Sequence, residues 1–208
     1  MKIAVLGASG RSGQRITLEA LVHHPERFPI AHPRLTVARV DLFDPSTVAE
    51  AVTGSDVVVN ATGPGRDGSV DGHAFFLNST NAVIEGVNRA GSKRLIVVGG
   101  AGSLEVAPGV QLVDTPEFPA AWRPTARAQR ETLGILRASD IDWTFFSPSA
   151  LIAPGKRTGK YRLGADQLLA NDQGESYISA EDYAVALLDE TEKPQFIRQR
   201  FTAVSLEK

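Results

Sequence analysis

The sequence predicts an α/β fold built on a doubly wound parallel sheet, and three observations support this prediction. Short apolar runs typical of strands alternate with helical patterns, a glycine-rich turn follows the first run, and no repeat or linker interrupts the order. Strands that alternate with helices pair in parallel through right-handed crossovers. We therefore expect a single domain over residues 1–208, with a small C-terminal part on the substrate side.

Each element has a local signal of its own. Asp44 and Pro45 are typical of an N-cap and a first helical position, and Ser179 with Asp182 has the spacing of a capping box. Buried parallel strands appear as continuous apolar runs, and amphipathic helices as runs of period 3.6. The strands are expected at 3–6, 35–40, 56–62, 94–100, 143–148 and 200–204, and the helices at 12–21, 44–54, 79–90, 125–138 and 179–190.

The composition excludes several classes of function. A net charge of −2 over 208 residues gives no field that would recruit nucleic acid or an anionic membrane. We expect the run "FIRQRF" to be a charged strand face only. Without cysteine, disulfides, thiolate catalysis and cysteine metal sites are excluded, and the four histidines lack metal-ligand spacing. The short N-terminal apolar run predicts neither a signal peptide nor a membrane span, so we expect a cytoplasmic protein.

The turn "GASGRSG" contains the first chemical signal. Gly7, Gly10 and Gly13 are spaced GxxGxxG directly after an apolar strand and at the start of a helix. In that context the first glycine permits the turn, the second lets a pyrophosphate approach the helix N-terminus, and the third allows close packing. The alternative is a glycine-rich turn without a ligand. The residues expected to contact a dinucleotide here are Gly7, Ala8, Ser9, Gly10, Arg11, Ser12 and Gly13.

Further blocks extend this signal over nearly the whole chain. They are "KIAVLGASGRSG", "VDLFDPSTVAEAVTGSDVVVNATGPG", "RLIVVGGAGS", "LRASDIDWTFFSPSALI" and "ISAEDYAVALLDE". In this order they resemble the atypical short-chain dehydrogenase/reductases of the NAD(P)H-binding, NmrA-like group. The resemblance is to proteins described as NADH-flavin reductases and, more distantly, to biliverdin reductase B. It implies a Rossmann-like fold that binds NAD(P)H.

The resemblance also implies cofactor contacts at the carboxyl ends of strands, where open α/β sheets place their ligands. Asp41 and Leu42 would border the adenine, although Asp41 is equally explained as a turn residue. The adenine ribose and pyrophosphate would lie above Ala61, Thr62 and Gly63. The nicotinamide ribose would lie near Gly99 and Gly100, and the nicotinamide near Pro148, Ser149 and Ala150. A plain loop is the alternative for "NATGPG".

The sequence contains no segment with the pattern of the second strand, so this strand is expected to be missing. Between Gly13 and Leu35, a helix leaves little room, and "VHHPERFPIAHPR" carries prolines and no alternation. Members of the family usually have a Val-rich strand here. Its loss would leave a gap beside the first strand, and exposed parallel edges are unusual. We therefore expect either residues absent from the recorded sequence or an altered segment.

The same region is expected to determine the choice of cofactor. NAD enzymes place an acidic residue on the ribose diol, whereas NADP enzymes place basic groups on the 2′-phosphate. His23 follows the shortened segment, and Arg11 lies inside the glycine turn, where a guanidinium can bind a phosphate bidentately. NADP(H) is therefore preferred, with NAD(H) as the alternative. A solvated loop histidine and an exposed arginine would explain the same residues without a cofactor.

No catalytic residues can be assigned from the sequence. The Tyr-x-x-x-Lys pair of short-chain dehydrogenases does not occur, and its nearest positional counterpart, from Trp122 to Ala126, offers no acid. Hydride transfer is performed by the nicotinamide itself, and a flavin or quinone accepts hydride without a strong protein acid. We favour an oxidoreductase with a small-molecule acceptor. A non-catalytic NADP(H)-binding redox-sensing regulator that acts through a protein partner is the alternative, and both a monomer and a homodimer remain open.

A few other side chains are candidates for the substrate side. Asp114 and Trp122 lie in the excursion after the fifth strand and are expected at the substrate mouth, with a plain surface loop as the alternative. Tyr161 and Arg162 are expected either to cover the nicotinamide end or to form an outward-facing hairpin. Trp143 is expected in the core.

Overall fold

The computed structural model describes residues 1–8, 13, 20–21, 36–64, 71–92 and 94–207. The strands of its main sheet are β1 (Ile3–Leu6), β2 (Ala20–Leu21), β3 (Val37–Ala38), β4 (Val57–Asn60), β5 (Arg94–Val98), β8 (Asp142–Ser147), β10 (Tyr161–Gly164) and β12 (Gln199–Ser205). They lie in the order β10-β12-β8-β5-β4-β1-β2-β3. Only β10 pairs antiparallel, with β12. The predicted doubly wound parallel sheet is confirmed.

Four helices and two small sheets complete the described part of the chain. The helices are α1 (Pro45–Val52), α2 (Gly72–Arg89), α3 (Arg123–Arg137) and α4 (Ala180–Glu192). The small sheets pair β6 (Glu105–Ala107) with β7 (Val110–Gln111), and β9 (Leu151–Ala153) with β11 (Tyr177–Ser179). None of the described helices is long and apolar enough to cross a membrane.

The main sheet is buried on both faces because alternate side chains of each central strand enter opposite cores. Val57 and Val59 pack on the α4 side, whereas Val58 packs under α1, α2 and α3. This two-sided burial explains why the strands appear in the sequence as continuous apolar runs. In β8, Phe146 stacks on Tyr183 of α4 at 3.9 Å between ring centroids and an interplanar angle of 6°.

The expectation that the second strand is missing is wrong. Ala20–Leu21 forms β2, which pairs with β1 through Val5 and Leu6 and with β3 through Val37 and Ala38. These two residues were expected at the end of a helix. The backbone N–H and C=O groups on the facing edges of β1 and β3 need hydrogen-bond partners, and the two residues of β2 provide them. A strand of two residues is too short to show the alternation of apolar and polar residues by which a strand is recognised in a sequence.

Local capping follows the sequence closely. The Asp44 side chain accepts a hydrogen bond from Ser46 N at 2.8 Å, and α1 begins at Pro45 as expected. Ser179 Oγ likewise accepts from Asp182 N at 2.9 Å at the start of α4. A capping box predicts that the Asp182 side chain bonds back to the N-cap residue. The side chain of Asp182 instead bonds to a neighbouring loop.

Asp182 fastens the start of α4 to the loop after β9 and to the end of β12. Its buried carboxylate accepts hydrogen bonds from Thr158 N and Oγ1, from Gly159 N at 2.8 Å, and from Ser205 Oγ. Burial alone would raise the pKa of Asp182, but these hydrogen bonds outweigh it and lower the pKa below its ordinary value. The carboxylate form therefore stabilises the fold.

We expect Asp182→Asn to lower the free energy of unfolding by about 1–3 kcal/mol at neutral pH, because an amide opposes several donors with one acceptor. The pKa of Asp182 is lower in the folded state than in the unfolded state. The difference between the two proteins should therefore be complete above the unfolded pKa and shrink as the pH falls through the folded one. Urea unfolding across acidic and neutral pH measures it. Asp172→Asn, at a largely exposed side chain, is the control; an equal loss there would contradict the assignment.

Candidate functional site

A cavity of about 1300 Å³ opens at the carboxyl ends of β4, β5 and β8. Its walls come from residues 61–64 after β4, from 101–102 after β5, from the segment 112–129, and from 148–152 after β8. The carboxyl ends of parallel strands are where open α/β sheets bind ligands. This cavity thus lies where the sequence predicts a cofactor.

Two glycines of the predicted dinucleotide turn are needed for close packing. Gly7 has a φ of 78°, and a Cβ there would lie 2.8 Å from the Ala61 carbonyl. A Cβ on Gly13 would lie 2.4 Å from Gly7 O, so the chain at Gly13 can lie this close to the end of β1 only without a side chain at that position. Ala8 is buried beside them. The remaining predicted residues of this region, Ser9, Gly10, Arg11, Ser12 and His23, lie outside the described residues.

The described residues do not explain in this way why position 63 is a glycine. Gly63 lines the cavity together with Ala61 and Thr62, its φ is not positive, and a Cβ there would meet no atom of the described residues within 4 Å. Thr62 is held by Asn60, whose Oδ1 accepts from Thr62 N at 3.1 Å and from Thr62 Oγ1 at 2.6 Å. The backbone at Gly63 therefore borders open space, as a close approach by a ligand requires.

Gly99 and Gly100 pack against protein instead. A Cβ on Gly99 would lie 2.2 Å from the Phe145 ring, and one on Gly100 would lie 2.0 Å from Gln129 Oε1. Neither glycine is among the lining residues, although Ala101 and Gly102 are. Their role beside the nicotinamide ribose stays a prediction, and internal packing already accounts for both.

Asp41 and Leu42 also lie away from the cavity lining. Asp41 Oδ1 accepts from Phe43 N at 2.9 Å, and the Asp41 carbonyl accepts from Thr47 Oγ1 at 2.8 Å. Leu42 packs against the core beneath α1. Asp41 is thus a turn residue that leads into α1, the alternative that the sequence left open, and its contact with adenine stays a prediction.

The predicted nicotinamide-side residues Pro148, Ser149 and Ala150 all line the cavity. The Ser149 hydroxyl is buried and donates to Ala203 O at 2.7 Å, and Ala150 N donates to Ser176 Oγ at 3.0 Å. Because the Ser149 hydroxyl proton is already engaged, this segment shapes the wall rather than supplying an acid.

The excursion between β5 and α3 forms the outer wall. Arg123 donates to the carbonyls of Thr115, at 3.2 Å, and Phe118, at 2.9 Å, and so fixes the loop that precedes α3. Trp122 lines the cavity mouth with 62% of its surface exposed. Asp114, which was also expected there, is not a lining residue because its carboxylate pairs with Arg130 at 2.8 Å.

Gln129 is a site residue that the sequence analysis missed. It lines both the large cavity and a small one beneath it, and its Oε1 lies against Gly100. Its amide has no hydrogen-bond partner among residues 94–207 or the other described ranges. The signal that could have revealed it is the helical spacing of Thr125, Ala126 and Gln129, which puts all three on one face.

Tyr161 and Arg162 are not among the described lining residues, and the outward-facing hairpin is not found either, because Tyr161 packs against the core on the α4 side and β10 pairs with β12. Tyr161 donates to the Asp189 carboxylate, and burial together with this hydrogen bond raises the pKa of its phenol above the ordinary value. Arg162 donates to the carbonyl of Ala170. Trp143 is 4% exposed, and its predicted place in the core is confirmed.

Comparison with known proteins identifies the family of the chain. The sequence profile of the NAD(P)H-binding family matches residues 7–194, and the chain belongs to that family. The uncharacterised protein YwnB of Bacillus subtilis is 42% identical over 218 aligned positions, with 99% of each chain covered. Since this chain has 208 residues, at least ten of the aligned positions have no counterpart here.

Three solved structures share the fold over nearly their whole length. A "putative exported protein" of Burkholderia pseudomallei is 46% identical with a TM-score of 0.87, covering 98% of this chain and 99% of that one. A "putative epimerase" of Bacteroides thetaiotaomicron is 39% identical, with a TM-score of 0.89 and coverage of 100% and 98%. A "putative NADH-flavin reductase" of Streptococcus pneumoniae is 32% identical, with a TM-score of 0.85 and coverage of 99% of both chains. The cytoplasmic location stays a prediction.

We expect Gly63→Ala to weaken NADPH binding about tenfold while leaving the free energy of unfolding unchanged within about 0.5 kcal/mol. The added methyl meets no protein atom and projects into the space that a ligand would use. Fluorescence titration and urea unfolding measure the two quantities.

The control for this substitution is Gly134→Ala in α3, where a Cβ also meets nothing within 4 Å and no cavity is lined. It should leave NADPH affinity unchanged and raise stability by up to about 1 kcal/mol, because alanine favours a helix. Wild-type affinity in Gly63→Ala would show that the cofactor does not approach this backbone.

Proposed function

We propose that the protein is an NADP(H)-dependent oxidoreductase that passes hydride to a small conjugated acceptor such as a flavin or a quinone. The observation that carries the proposal is the composite cavity. One wall is the open backbone after β4, and the opposite wall is the aromatic excursion before α3. Its volume exceeds the range of roughly 300–1,000 Å³ that is usual for one small ligand. It therefore offers room for the nicotinamide half of a cofactor and an acceptor together.

The described residues fit a dinucleotide at this place. Gly7 and Gly13 bring the helix start close to the end of β1, and Gly63 leaves the backbone after β4 open. Gln129 offers a free amide at the floor of the cavity, able both to donate to and accept from a ligand hydroxyl or carboxamide. A bound nicotinamide cofactor supplies the hydride.

The protein's own part in the reaction is to position the reactants and exclude water. Val98, Phe118 and Ile152 line the cavity with apolar surface, which keeps water from the reacting groups. Thr62 is oriented by Asn60, and the Ser149 hydroxyl proton is committed to a backbone carbonyl. No tyrosine, lysine or histidine is among the described lining residues, so the proton that accompanies the hydride comes from solvent at the open cavity mouth after hydride transfer.

The lining residues also favour hydride transfer to a separate acceptor over a reaction confined to one substrate molecule. Epimerisation is a reaction of the second kind, and one of the similar structures is named an epimerase. Removing and returning a proton at a carbon atom needs a positioned acid and base. Glu117 is the single ionisable side chain among the described lining residues, which supports the reaction class in the name of the NADH-flavin reductase relative.

The preference for NADP(H) over NAD(H) rests on Arg11 and His23, whose basic side chains suit a 2′-phosphate. A second candidate is a non-catalytic NADP(H)-binding regulator with a protein partner. The observation that favours it is the lack of the Tyr-x-x-x-Lys pair.

We expect purified protein to oxidise NADPH above background when riboflavin, FMN or menadione is supplied, and to do so faster with NADPH than with NADH. Loss of NADPH absorbance under anaerobic conditions measures the rate. Tight NADPH binding without oxidation by any acceptor would overturn the oxidoreductase and favour the regulator. Equal rates with NADH would overturn only the cofactor preference.

We expect Gln129→Leu to reduce kcat/KM or NADPH affinity about tenfold without loss of stability, because no hydrogen bond to another described residue is broken. Steady-state kinetics and NADPH titration separate the two effects. Arg127→Leu, at an exposed position elsewhere on α3, is the control and should change neither quantity. Unaltered kinetics and binding in Gln129→Leu would exclude the amide from the site.

A further inference from the structure

The mouth of the cavity combines an apolar aromatic surface with one negative charge. Leu112, Phe118, Pro119 and Trp122 provide the apolar part, and Glu117 lies among them. No lysine, arginine or histidine is among the described residues that line the cavity. An acceptor that enters here therefore meets a carboxylate and no compensating cation in that part of the wall.

Glu117 is not neutralised by a partner within the described structure. It is exposed, and it forms no ion pair or hydrogen bond there, whereas Asp114 in the same excursion pairs with Arg130. Arg123 lies close by, but its terminal nitrogen donates to the backbone carbonyls of Thr115 and Phe118, on either side of Glu117. The guanidinium thus holds the loop in place, and Glu117 lies in the cavity lining without an ion-pair partner among the described residues.

Trp122 gives the mouth its shape preference. An indole that is 62% exposed and lines a cavity offers a flat face to another ring. Stacking of a planar ring on such a side chain is favourable and tolerant of the identity of the ring. The wall therefore favours a planar conjugated molecule over a compact or aliphatic one.

We propose that the acceptor is an uncharged planar ring, such as riboflavin or a simple quinone, and that Glu117 discriminates against phosphorylated flavins. This inference rests on the proposed function and specifies its substrate class. NADPH is oxidised to NADP⁺ as its hydride, with both electrons, passes to the acceptor. One proton from water completes the reduced acceptor. A phosphate of charge −1.5 to −2 near the mouth is repelled by the carboxylate.

The expected discrimination is modest because Glu117 is exposed and its field is weakened by solvent and salt. At low ionic strength, riboflavin should bind the NADP⁺-loaded protein about fivefold more tightly than FMN, as judged from charges a few ångströms apart in water. Quenching of flavin fluorescence measures both affinities. Added salt should bring the two affinities together.

Substitutions at Glu117 test the origin of the preference. Glu117→Gln should bring the riboflavin and FMN affinities within about twofold of each other, and Glu117→Lys should favour FMN. Glu50→Gln is the matched control, since it removes the same charge from an exposed position on α1 away from the cavity lining. It should leave the wild-type ratio unchanged.

Trp122 is tested with both neutral acceptors. Trp122→Ala should weaken riboflavin and menadione about tenfold, and Trp122→Phe should restore most of the loss, since stacking contributes to both. Menadione, which does not fluoresce, is measured by its competition with riboflavin. An unchanged affinity in Trp122→Ala would overturn the stacking role.

The outcomes separate this inference from the proposed function. FMN binding as tightly as riboflavin in the wild-type protein at low salt would overturn the inference, and so would an unchanged ratio in Glu117→Gln. Binding of neither riboflavin nor menadione would overturn it as well. If riboflavin and FMN bind with the expected ratio of affinities but NADPH is not oxidised, the preference of the cavity mouth for an uncharged ring is supported and the oxidoreductase is overturned. The two results are independent because binding to the NADP⁺-loaded protein needs no turnover.

Discussion

The site depends on the absence of side chains at three positions after β5. A Cβ on Gly99 would enter the Phe145 ring, one on Gly100 would reach Gln129, and one on Gly102 would lie 2.7 Å from the Ala126 Cβ. Protein interiors are packed too densely to absorb an overlap with a ring or with a helix Cβ without a shift of the neighbour. Gly99 therefore makes room for Phe145 of β8, and Gly102 sets how closely α3 approaches the chain after β5. At Gly100 the flexible end of Gln129 would have to turn aside.

A second constraint connects the outer wall of the cavity to β12, the strand next to the edge of the sheet. Arg200 in β12 is buried, donates to Ser103 O at 2.8 Å and to Ser103 Oγ at 3.0 Å, and pairs with Asp166. The excursion after β5 is thus anchored at its start by β12 and at its end by α3. A wall held at both ends can present Glu117 and Trp122 in a fixed arrangement, which selectivity requires.

A glycine in a sequence indicates that another group lies close to the backbone, but it does not indicate whether that group belongs to the protein or to a ligand. Gly99 and Gly100, which are predicted to lie near the nicotinamide ribose, have Phe145 and Gln129 where a Cβ would stand. Gly63 has the opposite surroundings, since no atom of the described residues accounts for it and it borders the cavity. The distinction depends on segments far apart in the chain, so it can be drawn only once they are packed together.

The sequence by itself determined the features that depend on neighbouring residues: the buried strands as apolar runs, and the caps at Asp44 and Ser179. The tertiary structure alone decided the rest. It made β2 from Ala20–Leu21 because two strand edges needed partners, and it buried Arg200, which was expected on a charged surface. It also brought Gln129 into the cavity. In each case the deciding contact joins residues that are distant in sequence, and no local pattern encodes it.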